Sequence, residues 1–278
     1  MIVSVTFNPA VDKTLFIRRL SIGTVNRVDR SQIDPGGKGI NVSRVVHRLG
    51  QPTVAFGFLA GDLGAVVTRA LDAEGVAHRF AWVGGETRLD VIVVDEATGA
   101  STNLYDRGPE VDGASLARLL ADIGRWLPYT RVLVAAGSLP PGVSHDVYAG
   151  LLAEAARLGV RTILDADGDT LRKGLAGRPS VIKPNVAEAE ALVGRRLPDV
   201  PAVMSAVREL VAEGIDTVII SMGGEGSICA TANEVLLAVP PRVERRSTVG
   251  SGDSLVAGLA VALATGRDVA TGLRLGTA

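Results

Sequence analysis

Thr248-Val249-Gly250-Ser251-Gly252-Asp253 runs directly into an apolar helical pattern, SLVAGLAVALA. Small residues at a helix start let the N–H groups of Gly250, Ser251 and Gly252 converge on one point, a nest for a phosphate or for charge that develops in a transition state. Asp253 has two readings. It is a first-turn acid that stabilises its helix, or it is the carboxylate base that phosphoryl transfer to a hydroxyl requires.

A second glycine-rich run, Pro35-Gly36-Gly37-Lys38-Gly39-Ile40-Asn41, also opens a helix. Its glycines admit a ligand close to the backbone, Lys38 offers a point charge, and Asn41 can donate to or accept from sugar hydroxyls. An ordinary glycine-rich turn before a helix is the alternative. Lys38 is followed by Gly39 rather than Ser or Thr, so the string is not a nucleotide P-loop. Lys183-Pro184-Asn185-Val186-Ala187-Glu188 leaves a strand and enters a helix. Asn185 and Glu188 lie three apart, on one helix face. They can hold Mg²⁺ through water, or form an N-cap with its reciprocal glutamate, the reading this string favours by itself. Ser221-Met222-Gly223-Gly224-Glu225-Gly226 and Ala136-Gly137-Ser138 end further strands, and Asp165 closes another. Asp12 after the first strand can take sugar hydroxyls, while Arg88 or Arg27 can clamp a phosphate. His47, His78 and His145 show no ligand spacing and are read as structural, and Trp82 and Trp126 as packing residues.

The elements that must position these groups alternate. Short β-branched runs at 2–7, 53–59, 131–136, 160–165, 181–183 and 217–221 alternate with helical periods at 40–49, 65–74, 115–126, 147–158, 187–193, 203–213 and 254–264. Apolar strands separated by helices predict a mostly parallel sheet covered on both faces, with binding at the strands' carboxyl ends. Stretches at about 12–34 and 77–106 break the alternation and read as a small antiparallel sheet, a lid on one α/β domain spanning 1–278.

Composition narrows the function. A net charge of −1 gives no footprint for nucleic acid or an anionic membrane, and no apolar run reaches the roughly 20 residues that span a bilayer. Cys229 stands alone, so no intrachain disulfide or cysteine-based zinc site is expected. The N-terminus lacks a basic, apolar leader pattern, and a cytoplasmic protein is expected. Leu255 stands where the last glycine of a dinucleotide fingerprint would be, which argues against a nicotinamide enzyme.

Taken in order, TFNPAVD at 6–12, GTVNR at 23–27, GGKGIN at 36–41, GFLAGDLG at 57–64, TRLDV at 87–91, AGSLPPGV at 136–143, IKPNVAE at 182–188 and STVGSGDS at 247–254 resemble the ribokinase-like (PfkB) carbohydrate kinases across the chain. NPAxD, GxVNR, GKGINV and NLYxxGPEV are most similar to the phosphosugar kinases that include 1-phosphofructokinase and tagatose-6-phosphate kinase. The resemblance implies ATP and Mg²⁺ as partners of catalysis, with a monovalent cation also used. It implies that Asp253 is the base and that Gly250, Ser251, Gly252 and Asp253 form the anion hole. Asp12, Gly37 and Asn41 would hold the sugar, with Lys38, Arg88, Ser138 and Arg27 on its phosphate. Lys183, Asn185, Ser221, Gly223 and Gly226 would line the ATP phosphates, and Asn185 with Glu188 would organise Mg²⁺ through water. A homodimer through the lid is expected. The family pattern continues past position 278 with a segment completing the adenine side of the ATP site. Fructose 1-phosphate is the expected acceptor, with fructose 6-phosphate or tagatose 6-phosphate as alternatives. A non-catalytic phosphosugar-binding regulator is the reading from another class.

Overall fold

Five consecutive residues, Ile2–Thr6 (β1), are buried without a break, the signature of a central strand covered on both sides. Their side chains nevertheless part by alternation. Ile2 packs with Val42, Val46, Val132, Val134 and Val256, whereas Val3 and Val5 pack with Leu133, Leu119, Ile123 and Tyr148. The structure, a computed structural model, describes residues 1–241 and 250–277.

The other described strands are Ala10–Ile17 (β2), Arg30–Gly36 (β3), Thr53–Leu59 (β4), His78–Trp82 (β5), Arg88–Asp95 (β6), Ala100–Leu104 (β7), Val132–Ala136 (β8), Arg161–Asp165 (β9), Val181–Ile182 (β10), Thr217–Ser221 (β11), Ser227–Thr231 (β12) and Val235–Ala238 (β13). They form two sheets, a nine-stranded one in the order β13-β12-β11-β10-β9-β8-β1-β4-β5 and a four-stranded one in the order β3-β2-β6-β7. Pairing in the large sheet is parallel from β5 to β11, and β12 and β13 add an antiparallel edge. Helices Lys38–Arg48 (α1), Ser251–Ala264 (α8) and Val269–Thr277 (α9) cover one face; Gly113–Trp126 (α3), Val147–Arg157 (α4), Val186–Val193 (α6) and Val200–Ala212 (α7) cover the other. Gly61–Glu74 (α2) packs Val67 and Leu71 with Val11 and Ile40 where the small sheet joins the body. The expected α/β architecture with a small sheet as lid is therefore what the chain forms.

Three details differ from the sequence reading. The strand β5, placed with the lid, pairs with β4 and closes one edge of the large sheet. The lid is not wholly antiparallel, because β2 and β6 run parallel between two antiparallel pairs. Helix Gly168–Gly174 (α5) and the hairpin β12–β13 were not anticipated. Glycine and charge crowd α5, and Ser227–Thr231 carries a small-residue pattern without strong β-branched character. Trp126 packs edge-on against Phe56, as expected, while Trp82 stands half exposed.

No described helix is long and apolar enough to cross a membrane.

Candidate active site

The parallel strands share one direction, so their carboxyl ends open on one side of the sheet. Sheet order turns back at β1, which leaves a crevice there. A cavity of about 430 Å³ fills it, lined among others by Asn8, Ser138, Asp165, Lys183 and the starts of α1 and α8, and roofed by lid residues.

The floor is built from two helix N-termini. Gly37 caps α1 with φ of 115°, a conformation glycine adopts freely, and the Thr6 hydroxyl accepts from Gly39 N at 2.8 Å to pin the turn to β1. Gly250 caps α8 in the left-handed region, φ 82°. Asp253 in the first turn of α8 accepts from the Asn41 amide at 2.8 Å across 212 residues of chain. Burial, and then the nearby Asp165 charge, push Asp253 up to about 6 despite the Asn41 bond. That is the range in which a carboxylate is ionised at neutral pH yet still basic enough to take a proton.

Asp165, fully buried at the end of β9, lies between two ammonium groups. Its Oδ1 is 2.8 Å from Lys38 Nζ and its Oδ2 is 3.2 Å from Lys183 Nζ. Against burial, which would raise it, Lys183 and Lys38 hold Asp165 below the usual carboxylate range; against the lowering effect of burial, Asp165 raises Lys38. Tyr148 donates to the Ala136 and Gly137 carbonyls beneath the floor and fixes the loop that carries Ser138.

The roof comes from alternate residues of the lid strands. Asp12 on β2 stands between Asp34 and Asp90 in register, and Arg88 lies one step along the same face of β6. A side chain at Gly36 would overlap the Asp12 carboxylate, so glycine makes its room. Burial first, then Asp90, push Asp12 up to about 6. Arg88 donates through Nε to the Asn8 carbonyl at 3.1 Å and pairs with Asp90 at 2.9 Å. Asp90 also accepts from Asp106 N, which ties the segment after β7 to the same corner.

Of the residues singled out in the sequence, Asp12, Gly37, Lys38, Asn41, Arg88, Ser138, Lys183, Gly250, Gly252 and Asp253 line this one cavity. Ser251 opens α8 beside it. Asn185, Ser221, Gly223 and Gly226 are not among the cavity's lining residues; Asn185 bridges Ser221, and the turn Gly223–Gly226 follows β11. Asn185 and Glu188 make the reciprocal capping box: Asn185 Oδ1 accepts from Glu188 N at 2.9 Å, and Glu188 Oε2 accepts from Asn185 N at 2.8 Å. Arg27 lies on an exposed loop and is not among the residues that line the cavity. Ser247, Thr248 and Val249 are outside the described residues. Asn8, Asp90, Asn103, Tyr105 and Asp167 line the cavity without having been singled out. Asp90 was legible in TRLDV as a polar residue at two-residue spacing from Arg88. Asn8 stands in the NPAxD motif quoted for the resemblance, which gave it no role. Among the described residues no cluster of three or more His, Cys, Asp or Glu forms a ready-made metal site.

Residues 5–278 match the pfkB family carbohydrate kinase model. A 1-phosphofructokinase of Rhodobacter capsulatus is 38% identical over all 278 residues, which span 88% of that protein. Among solved structures, Escherichia coli phosphofructokinase-2 in complex with substrates and products superposes with a TM-score of 0.92 at 29% identity, covering 99% of this chain and 90% of that one. A Thermotoga maritima protein described as a possible 1-phosphofructokinase gives 0.90 at 28% identity, covering 100% and 89%. With a nest and buried acid at one helix start, a lysine–glycine turn at another and a lid above both, the chain belongs to the pfkB family of carbohydrate kinases and is a sugar-phosphate kinase.

Proposed function

We propose that the protein is a 1-phosphofructokinase, transferring the γ-phosphoryl group of ATP to the free primary hydroxyl of fructose 1-phosphate. The observation that carries this reading is the Asn41–Asp253 bond at the start of α8, facing Lys38 and Lys183 in one cavity. The 38% identity to the Rhodobacter capsulatus enzyme favours fructose 1-phosphate over other acceptors.

A sugar hydroxyl is a weak nucleophile. Asp253 accepts its proton as the new P–O bond forms, while Asn41 fixes the carboxylate's direction. The N–H groups of Gly250, Ser251, Gly252 and Asp253 receive the charge on the migrating group, with the dipole of α8 behind them. Asp12, Gly37 and Asn41 hold the sugar, and Arg88, Ser138 and Lys38 its phosphate. Lys183, Asn185, Ser221, Gly223 and Gly226 line the ATP phosphates.

Mg²⁺ keeps most of its waters and asks for one or two carboxylates rather than a cage, so Glu188, half-buried and facing Lys38 electrostatically, suits a water-mediated hold. Asn185 then acts on Glu188, since its amide oxygen already accepts from the Glu188 N–H. When bound, the ion neutralises charge on the transferring phosphoryl group. A monovalent cation belongs to the same reading; Escherichia coli phosphofructokinase-2 has been solved with potassium.

The lid's outer face supports a homodimer. Ile33 and Leu104 sit in one register row through Lys13 and Val91, and both are more than half exposed, as are Ile22 and Val25 nearby. Arg27, which does not line its own chain's cavity, would meet a phosphosugar across such a contact. ATP supply suits a cytoplasmic reaction.

The test is Mg²⁺-dependent ADP release on fructose 1-phosphate, fructose 6-phosphate, tagatose 6-phosphate and fructose, with Asp253→Asn as control. Turnover highest on fructose 1-phosphate and lost in the variant is expected. Preference for a 6-phosphate would move the acceptor, and binding without turnover on any would overturn the kinase reading.

A further inference from the structure

Asp165 is the most buried charge in the cavity, and neither proton transfer nor sugar binding uses it. It ends β9, a strand flanked by β8 and β10, and its backbone is held from both sides: its carbonyl accepts from Gly137 N after β8 at 3.0 Å, and the carbonyl of Leu164 accepts from Lys183 N after β10 at 3.2 Å. Each carboxylate oxygen takes one lysine, and those lysines come from different elements. Lys38 is the first residue of α1 and retains about a third of its side-chain exposure, so its ammonium can follow a ligand in the cavity. Lys183 is almost wholly buried and cannot. It stands beside the start of α8, where a Cβ built on Gly252 would lie 3.4 Å from its Nζ.

We infer that Asp165 is a positioning residue: it holds the Lys38 and Lys183 ammonium groups as one unit, so that Lys38 meets the phosphate of the sugar and Lys183, beside the start of α8, meets the transferring phosphoryl group, each in a fixed place. The physical ground is that two like charges brought together in a dry site repel unless a counter-charge lies between them. One buried carboxylate with one oxygen per lysine supplies it and sets where each ammonium stands. Lys38 is thus already partnered before any phosphosugar enters, which the sequence alone did not show. The net charge of the trio is +1. Removing the carboxylate's charge leaves the site more attractive to anions but leaves the two cations unplaced. Binding and turnover therefore separate.

This inference rests on the phosphosugar kinase reading. The experiment compares the full-length wild type with Asp165→Asn by calorimetric titration of fructose 1-phosphate alone and of ATP alone, by kcat, and by Mg²⁺ dependence. The expected result is a kcat lower by 100-fold or more, both dissociation constants within threefold of wild type or tighter, and an unchanged half-saturating Mg²⁺ concentration. A tenfold rise in the Mg²⁺ requirement, with turnover restored at high Mg²⁺, would give Asp165 to the metal and overturn the inference. So would parallel loss of binding and turnover in a folded variant.

If Asp165→Asn does not fold, Lys38→Met, Lys183→Met and the double variant decide. Lysines acting through one carboxylate give a double loss in kcat at least tenfold smaller than the product of the single losses, and independent, multiplying losses overturn the inference. A wild type that turns over none of the phosphosugars overturns both readings, whereas wild-type turnover with multiplying losses overturns this one alone.

Discussion

The floor and the roof of the cavity are built on opposite terms. Floor groups sit at strand ends and helix starts of a sheet covered on both faces, and each has its counterpart within the chain: Asp253 has Asn41, and Asp165 has two lysines. The roof is a four-stranded sheet with one face on the cavity. Its other face carries Ile33 and Leu104, more than half exposed, in a row through Lys13 and Val91. A covered sheet can fix buried charges to within an ångström because neighbouring elements over-determine them. A sheet covered on one side only depends on whatever meets the other side. On the proposed function, the chemistry lies with the floor, acceptor binding is shared between floor and roof, and assembly lies with the roof.

The sharpest way to break this division is Asp253→Asn. Loss of a general base costs about 10²–10⁴ in rate, and turnover should fall about a thousandfold while binding of both substrates persists. Stability should move the other way. A carboxyl raised from 3.8 to about 6 on folding resists ionisation in the native state, so the folded protein loses stability as pH rises between those values. Asparagine removes that penalty: thermal unfolding should show the variant more stable by up to about 3 kcal/mol at pH 8 and equal to wild type near pH 4. A variant destabilised at pH 8 would mean that Asp253 is structural and the floor is not where the base resides.

Floor and roof can next be separated by pH. Asp12 in the roof and Asp253 in the floor are both pushed up to about 6. If both must be ionised, activity falls as pH drops through 6, and log(kcat/KM) steepens by one proton for each. In Asp12→Asn one of those protons is gone, so its acid limb should be shallower than that of wild type by about one unit of slope. Substrate ionisation affects both proteins equally, which makes the difference the readout. Identical limbs would place the pH dependence in the floor alone.

A smaller effect is expected at Arg88. Lysine there keeps the charge but cannot serve the Asn8 carbonyl, Asp90 and a phosphate together. Charge-assisted hydrogen bonds are worth about 1.5–3 kcal/mol, so the Arg88→Lys KM for the phosphosugar should rise about 10- to 100-fold. The KM for ATP should hold. A shift in both would deny Arg88 a part specific to acceptor binding.

The same contrast explains what was legible in the sequence. Strands such as 53–59 and 217–221 and the helices between them were readable because a two-sided core writes itself as apolar runs, and the helix starts at Lys38 and Ser251 because glycine turns mark them. The lid's existence was readable, but not that β5 belongs to the body: His78-Arg79-Phe80-Ala81-Trp82 is half-exposed edge, with the mixed composition of the lid strands. Asp165 was visible only as the last residue of a strand. Its partners Lys38 and Lys183 lie 127 residues before and 18 after it in the sequence, and no local pattern encodes a pairing that only the sheet order brings about. For Asn185 and Glu188, the capping geometry leaves room for the proposed Mg²⁺ role, because the glutamate has two oxygens and the cap uses one.

The last and smallest effect concerns the roof's outer face. In a two-fold dimer each residue of the patch is used twice, and burying an isoleucine side chain is worth about 1.5–3 kcal/mol. Ile33→Asp on β3 introduces two charges into such a contact while leaving the cavity face, which points the other way along the strand, as it was. Sedimentation should show wild type as a dimer or larger and the variant dissociating at concentrations at least 100-fold higher. Turnover at high protein concentration should fall only a few-fold, through the loss of Arg27. If the variant assembles like wild type, the outer face is not where copies meet, and Arg27 has no route to a phosphosugar.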